Sequence, residues 1–137
     1  MDRRTLIRAA IEVLPRAYVP YSHFHVAAAL LCSDGMVYTG INIENAAYTP
    51  TVCAERSAFI RAVNEGQRNF DAIVICGGQD GVIADYCPPC GVCRQVMREF
   101  CDPDSFRIIL ARSEEEYKEF TLKELLPMGF GPENLHV

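Results

Sequence analysis

Residues 53–62 read Cys-Ala-Glu-Arg-Ser-Ala-Phe-Ile-Arg-Ala, and this stretch decides the fold. Every fourth residue from the second onward is alanine, so the small side chains form one row along a helix: Ala54, Ala58 and Ala62. A row of small side chains lets a helix lie close against a sheet. We therefore predict a helix that Pro50–Thr51 open, that ends near Asn64 and that Gly66 stops.

The residues before this helix predict another helix and a hairpin. Thr5–Leu14 carries apolar side chains at the i, i+3, i+4, i+7 spacing of a helix. Phe24–Cys32 and Met36–Ile41 read as strands, and Ser33–Gly35 between them supplies the turn residues of a hairpin. Asn42–Pro50 reads as a loop that leads into the central helix.

The residues after the central helix predict two more strands and two more helices. Ala72–Cys76 and Phe106–Leu110 are short apolar runs, typical of strands buried on both faces. A helix is predicted between them over about Cys90–Phe100, and Thr121–Glu124 has capping-box spacing at the start of a short final helix. The order α-β-β-α-β-α-β-α indicates an α/β fold with a mixed sheet covered by helices on both faces.

The length and charge of the chain restrict its class. With 137 residues it has the size of one domain, so we expect residues 1–137 to form a single domain. The longest apolar run, Val26–Leu31, is too short to cross a bilayer, and the charged N-terminus does not resemble a signal peptide. The formal net charge of -5 disfavours a nucleic-acid partner. We expect a cytoplasmic protein with no membrane and no nucleic-acid partner.

The cysteines are numerous for a chain of this length. There are 7 of them, an odd number, and a reducing compartment disfavours disulfides. Their thiols must then be core filler, metal ligands or catalysts. Three lie in or beside apolar segments and are predicted to fill the core: Cys32, Cys76 and Cys101.

The remaining cysteines belong mostly to two clusters at predicted helix starts. One cluster is Cys53–Arg56, which reads Cys-Ala-Glu-Arg, and the other is Pro89–Arg94, which reads Pro-Cys-Gly-Val-Cys-Arg. A helix N-terminus favours the thiolate, which is the form that binds metal. Two such helix starts could give three sulfur ligands to one Zn²⁺, and an open fourth position is the mark of a catalytic zinc site. Arg56 could offset the negative charge of three thiolates, and Arg94 is a second candidate for this role.

Other interpretations of these clusters remain open from the residues alone. A Cys-x-x-Cys pair in a reducing compartment is often a redox pair or half of a structural zinc site. Cys87 together with Cys53, Cys90 and Cys93 could make a closed four-cysteine site, which would be structural. Glu55 could be an ordinary acidic residue in the first turn of a helix.

Taken together, these motifs resemble those of the small homotetrameric cytidine deaminases, and the resemblance covers nearly the whole chain. The matching segments are Ala17–Phe24, Gly40–Tyr48, Cys53–Arg56, Pro89–Gln95 and Leu125–Pro127. The resemblance implies a three-layer α/β/α sandwich with a mixed five-stranded sheet. It also implies one Zn²⁺ per subunit, held by Cys53, Cys90 and Cys93, with Glu55 as a proton shuttle that does not bind the metal.

The same resemblance implies a set of substrate contacts and a shared site. Asn42 and Glu44 would hydrogen-bond the ribose, and the backbone at Ala54 would contact the base. Phe24 would line the base pocket, and Tyr48 would lie near the sugar at a subunit interface. Phe130 would reach into a neighbouring subunit's site. From the residues alone, Phe24 could equally be core, and Asn42 and Glu44 could be turn and surface residues.

The implied reaction is the zinc-dependent hydrolysis of free cytidine and deoxycytidine to uridine and deoxyuridine, with release of ammonia, in pyrimidine salvage. One alternative is a deaminase of a cytosine-containing antibiotic such as blasticidin S, which shares the Cys-x-Glu pattern. An alternative from another class is a non-catalytic zinc module, which would bind its metal through four cysteines. The sequence also departs from the resembled family at Ala27, commonly Gly, and at Pro88, frequently Ser.

Overall fold

A mixed five-stranded sheet forms the centre of the computed structural model, which describes residues 1–135. The strands lie in the order β2-β1-β3-β4-β5. β3 and β4 are parallel, and every other neighbouring pair is antiparallel. The strands are β1 Phe24–Cys32, β2 Val37–Ile41, β3 Phe70–Gln79, β4 Arg107–Ala111 and β5 Tyr117–Thr121.

Helices cover both faces of this sheet, as the sequence predicted. The α-helices are α1 Arg3–Val13, α2 Ala54–Asn64, α3 Gly91–Phe100 and α4 Leu122–Leu125, and 3-10 helices span Leu14–Arg16 and Pro132–Leu135. Leu6 of α1 packs in one core cluster with one face of the strands, whereas Phe59 of α2 and Met97 of α3 pack in a second cluster with the other face. The α/β class and the three-layer α/β/α arrangement are therefore confirmed.

The row of alanines on α2 lies against the sheet. The three side chains of the row are fully buried: Ala54, Ala58 and Ala62. On β2, a Cβ added at Gly40 would overlap the backbone of Ala54 and lie 2.5 Å from the backbone nitrogen of Ala58. Glycine at position 40 thus allows the first turn of α2 to touch the sheet, which fixes where the start of this helix lies.

The predicted start of α2 is wrong by several residues. The helix begins at Ala54 rather than at Pro50–Thr51, because Cys53 has extended backbone angles (φ -72, ψ 155) and is the N-cap. Just before it, Val52 forms an isolated antiparallel bridge with Ile43. The chain therefore stays extended up to the cysteine, which places the Cys53 side chain at the end of the helix rather than along it.

One strand has no counterpart among the elements predicted from the residue pattern, and only the resemblance implied a fifth strand. β5 lies at the edge of the sheet, and its first three residues are exposed. Its sequence, Tyr-Lys-Glu-Phe-Thr, lacks the apolar run of a central strand, because an edge strand can keep charged side chains in solvent. The predicted capping box is confirmed, since Thr121 and Glu124 hydrogen-bond each other's backbone at the start of α4.

Among residues 1–135, no helix combines the length and apolar character that crossing a membrane requires.

Candidate metal and catalytic site

Two helix N-termini bring three cysteine sulfurs together. Cys53 is the N-cap of α2 and Cys90 is the N-cap of α3, both with extended backbone angles, and Cys93 lies in the first turn of α3. The Cys53 and Cys90 Sγ atoms are 3.8 Å apart, and the Cys90 and Cys93 Sγ atoms are 3.5 Å apart. All three sulfurs lie within 4.8 Å of one another and could hold one metal ion.

The spacing of these sulfurs fits a zinc ion. Zinc–sulfur bonds of about 2.3 Å in a tetrahedral arrangement place neighbouring sulfurs about 3.8 Å apart. The sulfur separations of 3.8 Å and 3.5 Å are close to that value. Three sulfurs occupy three corners of a tetrahedron, so the described donor set leaves one corner for a further ligand.

A partly buried arginine accompanies the sulfurs. Arg56 Nη2 donates to Cys53 Sγ at 3.5 Å and to the Thr51 carbonyl at 3.3 Å. Its Nε is buried and finds no acceptor among residues 1–135. A guanidinium in this position favours negative sulfur, as expected for thiolates that share a metal. The predicted charge-offsetting position of Arg56 agrees with this geometry.

The cysteine cluster favours a thiolate even in the absence of metal. A hydrogen bond from Cys93 lowers the pKa of Cys53 to about 5, and the Arg56 guanidinium and Cys90 act in the same direction. The pKa of Cys93 is raised, because its proton is held in the bond to Cys53 and its sulfur is partly buried. Cys53 and Cys93 therefore titrate as a pair, and the contact with Arg56 favours negative charge on Cys53.

A buried carboxyl group lies next to this cluster. The Glu55 side chain is only 4% exposed, in the first turn of α2. Burial is the largest cause that raises its pKa, to about 7, and the negative charge of Cys53 adds to the effect. A carboxyl group with a pKa near neutrality can both accept and donate a proton, which is the requirement for general acid–base catalysis.

Glu55 lines a cavity of about 190 Å³ together with two of the three cysteines, Cys53 and Cys90. Asn42 and Glu44, which follow β2, line the same cavity. The remaining lining residues come from β1, the segment before α2, the first residue of α2 and the loop before α3: Val26, Thr51, Val52, Ala54, Cys87 and Pro88. The cavity therefore combines an acid–base group, two sulfurs and two polar side chains with mostly apolar neighbours.

The two polar residues are held in fixed orientations by backbone groups. Asn42 accepts a hydrogen bond from Val26 N at 3.0 Å and donates one to the Phe24 carbonyl at 2.9 Å. Glu44 Oε1 accepts from the backbone amides of Tyr21 at 3.0 Å and of the next residue at 3.1 Å. The second N–H of the Asn42 amide makes no hydrogen bond within the described chain, and both backbone amides that bind Glu44 donate to Oε1 alone, so the second N–H and the second oxygen can serve a ligand.

Three residues predicted to contact substrate do not line this cavity in the described chain. The Phe24 side chain is 39% exposed, and the residue contacts Asn42 through its backbone carbonyl, which accepts a hydrogen bond from the Asn42 amide. Tyr48 is 75% exposed, has a left-handed φ of 62, and lines an adjoining cavity that shares Glu44 with the first. Phe130 is 57% exposed, outside the cavity of its own chain.

Two further expectations concern residues next to the clusters. Cys87 lines the cavity but does not belong to the group of three sulfurs, and burial raises its pKa to about 11. Arg94 was a candidate to offset the sulfur charge, but its guanidinium instead donates to the carbonyls of Pro89 and Leu125. Cys32, Cys76 and Cys101 are buried in the core clusters, as predicted.

The sequence analysis missed several residues that line the cavity. Val26, Val52 and Pro88 carry no chemical group that would mark them as part of a site. Val26 lies in β1, whose residues from Ala27 onward are all buried rather than alternating, so no local pattern distinguished it. Val52 and Pro88 lie near the two helix starts in the sequence, and this position was the one signal that pointed to them.

Comparisons with known proteins agree with this geometry. Residues 1–108 match the model of the cytidine and deoxycytidylate deaminase zinc-binding region. A curated cytidine deaminase of Halalkalibacterium halodurans is 46% identical over 136 residues, covering 99% of each chain. A blasticidin-S deaminase of Bacillus cereus is 31% identical over 129 residues, covering 91% of this chain and 89% of that protein.

The fold comparison gives the same result. The crystal structure of a cytidine deaminase from Burkholderia pseudomallei superposes with a TM-score of 0.86 at 39% sequence identity, covering 95% of this chain and 100% of that chain. The matched zinc-binding region includes both helix starts that bring the three sulfurs together. By its sequence and by its fold, this chain belongs to the cytidine and deoxycytidylate deaminase family.

Proposed function

We propose that this protein hydrolyses free cytidine and deoxycytidine to uridine and deoxyuridine with release of ammonia, in pyrimidine salvage. One observation carries the proposal: the buried Glu55 carboxyl group lines one cavity together with Asn42, Glu44 and two cysteines of the three-sulfur cluster. We propose further that residues 1–137 act as one catalytic domain in the cytoplasm, where the thiols stay reduced.

Cys53, Cys90 and Cys93 would hold one Zn²⁺ per subunit. The sulfur spacing, the lowered pKa of Cys53 and the contact of Arg56 with Cys53 support this ligand set. When bound with one open position, zinc supplies a water molecule that ionises near neutral pH and becomes a strong nucleophile. Arg56 would offset the net charge of -1 that three thiolates leave around a divalent ion.

Glu55 would move the protons of the reaction. It takes a proton from the attacking water and delivers it to ring nitrogen 3 while the oxygen adds to carbon 4. It then carries the second proton of that water to the amine, which leaves as ammonia while the carbonyl of uridine forms. The raised pKa of Glu55 and its burial beside the sulfurs support this double role.

The two polar residues of the cavity, Asn42 and Glu44, would bind the sugar. The free N–H of Asn42 can donate to a ribose hydroxyl, and the free oxygen of Glu44 can accept from one. The backbone at Ala54, in the first turn of α2, would contact the base through the N–H groups that a helix start leaves unpaired. A carboxylate beside the sugar disfavours a 5′-phosphate, so a nucleoside fits this cavity better than a nucleotide.

The aromatic residues would complete the site in a homotetramer. Phe24 would line the base pocket beside Asn42, Tyr48 would lie near the sugar at a subunit interface, and Phe130 would enter the site of a neighbouring subunit. The exposure of Tyr48 and Phe130, both outside the central cavity of their own chain, supports this arrangement. Aromatic side chains so exposed are well suited to bury their surface against a second copy.

The direct test incubates the purified protein with cytidine and measures uridine, ammonia and bound zinc in the same sample. We expect equal amounts of uridine and ammonia and about one zinc ion per chain. A zinc-loaded protein that forms no uridine would contradict the proposal. Parallel reactions with deoxycytidine and with blasticidin S test the substrate range, and faster turnover of blasticidin S would favour the antibiotic deaminase.

The alternative of a non-catalytic zinc module depends on Cys87 as a fourth ligand. Cys87 lies outside the group of three sulfurs, and burial holds its thiol protonated. We therefore expect Cys87→Ser to keep both zinc and activity, whereas Cys53→Ser should lose both. Loss of zinc from Cys87→Ser would support the module instead.

A further inference from the structure

The hydrogen bonds of Arg94 join two segments that lie far apart in the chain. Its Nε donates to the Pro89 carbonyl at 2.8 Å, and its Nη1 donates to the Leu125 carbonyl at 2.7 Å. Pro89 immediately precedes Cys90, and Leu125 is the last residue of α4. One half-buried guanidinium thus connects the loop before a proposed metal ligand with the point where residues 126–135, the C-terminal segment, begin.

Two neighbouring side chains of α3 hold the C-terminal segment itself. Gln95 Nε2 donates to the Phe130 carbonyl at 2.8 Å, and Arg98 forms an ion pair with Glu133. A Cβ at Gly131 would overlap the Arg98 guanidinium, so the backbone there lies directly against that side chain. In the described chain, these are the side-chain hydrogen bonds and ion pairs that tie the C-terminal segment to the other elements.

We propose that Arg94 is a positioning residue, which fixes the C-terminal segment, and with it Phe130, against the helix that carries Cys93. This inference rests on the proposed function, in which Phe130 enters the site of a neighbouring subunit and Cys93 helps to hold zinc. Arginine suits the role because its planar, permanently charged fork directs several N–H donors in fixed directions and can serve two carbonyls at once. The compact ammonium of lysine offers no such fork.

The two hydrogen bonds of Arg94 differ in what they hold. The bond to Pro89 is local, since the two residues are 5 apart, whereas the bond to Leu125 spans 31 residues. Backbone N–H of Arg94 also closes the first turn of α3 on the Cys90 carbonyl at 3.1 Å, so the helix start does not depend on the guanidinium alone. Weakening the hydrogen bonds of the Arg94 guanidinium should therefore release the C-terminal segment first and leave the sulfur cluster in place.

The test uses Arg94→Lys in the full-length, zinc-loaded protein. We expect amide hydrogen exchange in residues 126–135 to accelerate at least about tenfold, since the opening of a segment scales with the contacts that hold it. The KM for cytidine should rise about tenfold while kcat falls less than about threefold, because Phe130 is misplaced and the acid–base group is not. Bound zinc should stay at the wild-type level.

A matched control and a second variant keep this test decisive. Arg68 also donates to two carbonyls, those of Val63 at 3.0 Å and Gln67 at 2.7 Å, but at the end of α2. Arg68→Lys should change neither the exchange of the C-terminal segment nor the KM. If Arg94→Lys does not fold, Gln95→Met, at an exposed position, removes the bond to Phe130 and should accelerate exchange in the same segment.

A double-mutant cycle separates positioning from general stability. If Arg94 acts through Phe130, Arg94→Lys should leave the KM unchanged in a Phe130→Ala background. Independent, multiplying effects on the KM, or unchanged exchange of the C-terminal segment in Arg94→Lys, would overturn the proposal. Because exchange needs no substrate, it decides the positioning role even if cytidine is not turned over, which would count against the proposed function alone.

Discussion

Cys53 Sγ lies 3.8 Å from Cys90 Sγ although the two residues are 37 positions apart in the chain. Both cysteines are helix N-caps with extended backbone angles, so the two helices begin at the same point in space. The positive ends of the two helices stabilise negative sulfur at this point, where Cys53 and Cys90 line one cavity. The meeting of the two helix starts thus places sulfurs that can hold a cation beside a cavity that can hold a polar substrate.

The role of Glu55 can be tested by removing its proton-carrying ability without changing its shape. We expect Glu55→Gln to lower kcat by at least about a thousandfold, since an amide cannot relay protons. Bound zinc should remain at the wild-type level, because Glu55 is not one of the three clustered sulfur donors. Rates of uridine formation and zinc content, measured on the same preparation, check this prediction. Wild-type turnover by the variant would exclude the proton-shuttle role.

The close approach of α2 to the sheet predicts an unequal effect of two glycine substitutions. Gly40→Ala forces a Cβ into the backbone of Ala54 and Ala58, so it should lower the free energy of unfolding by about 3 kcal/mol. It should also weaken zinc binding, because the displaced helix start carries Cys53.

Gly91→Ala is the matched control for this experiment. A Cβ at Gly91 would meet nothing within 4 Å, and alanine is a better helix former, so the free energy of unfolding should change by no more than about 1 kcal/mol. Denaturant unfolding of both variants checks the difference. Equal destabilisation would show that α2 does not depend on the absence of a side chain at Gly40.

The state of Glu44 predicts how substrate affinity depends on pH. Hydrogen bonds from the Ser22 hydroxyl, and then from the backbone amides of Ser22 and Tyr21, lower the pKa of Glu44 below its ordinary value of 4.5. A lowered pKa means that the folded protein keeps the carboxylate ionised above about pH 4.5, and loses this acceptor only as the pH falls further. The contribution of Glu44 to ribose binding should therefore be constant from pH 8 to about pH 5.

The comparison of wild type with Glu44→Gln isolates this contribution. The variant should have a KM for cytidine about tenfold higher at neutral pH, with a smaller change in kcat, since it loses an ionised acceptor. The ratio of the two KM values should stay flat across the stated range. A ratio that changes with a midpoint near pH 6 would contradict the assignment of this carboxylate to the sugar.

The proposed sharing of the site between subunits predicts complementation between two defective chains. Phe130→Ala retains Glu55 but cannot complete a neighbour's site, whereas Glu55→Gln can donate Phe130 but cannot catalyse. Each variant alone should be poorly active, and mixed oligomers formed by co-refolding should recover about a quarter of wild-type activity, because half of the sites keep Glu55 and half of their neighbours keep Phe130. Sedimentation should show a tetramer, and activity of the mixture equal to the mean of the two variants would argue against a shared site.

The sequence was informative wherever a residue type has few structural uses. The row of small residues on α2 predicted its packing, and the paired cysteine clusters predicted which sulfurs would meet, because metal-binding thiols favour helix starts. The apolar runs likewise predicted the three inner strands, β1, β3 and β4, since buried strands must be apolar on both faces.

Other features depend on contacts that no local pattern encodes. The start of α2 moved to Ala54 because Val52 pairs with Ile43, a tertiary contact that overrides the helix signal of Pro50. The residue pattern did not predict β5, because an edge strand needs little apolar surface. Arg94 was a second candidate to offset the sulfur charge because it is near Cys93 in the sequence, yet its partner Leu125 is distant in the chain.

X-ray absorption at the zinc edge tests the central claim most directly, because it counts the atoms bound to the metal in the intact protein. The account predicts three sulfur neighbours at about 2.3 Å and one lighter neighbour, nitrogen or oxygen. The same pattern should be found in Cys87→Ser. Four sulfur neighbours in the wild type, falling to three in Cys87→Ser, would contradict a site in which Cys53, Cys90 and Cys93 hold the metal and leave one position for chemistry.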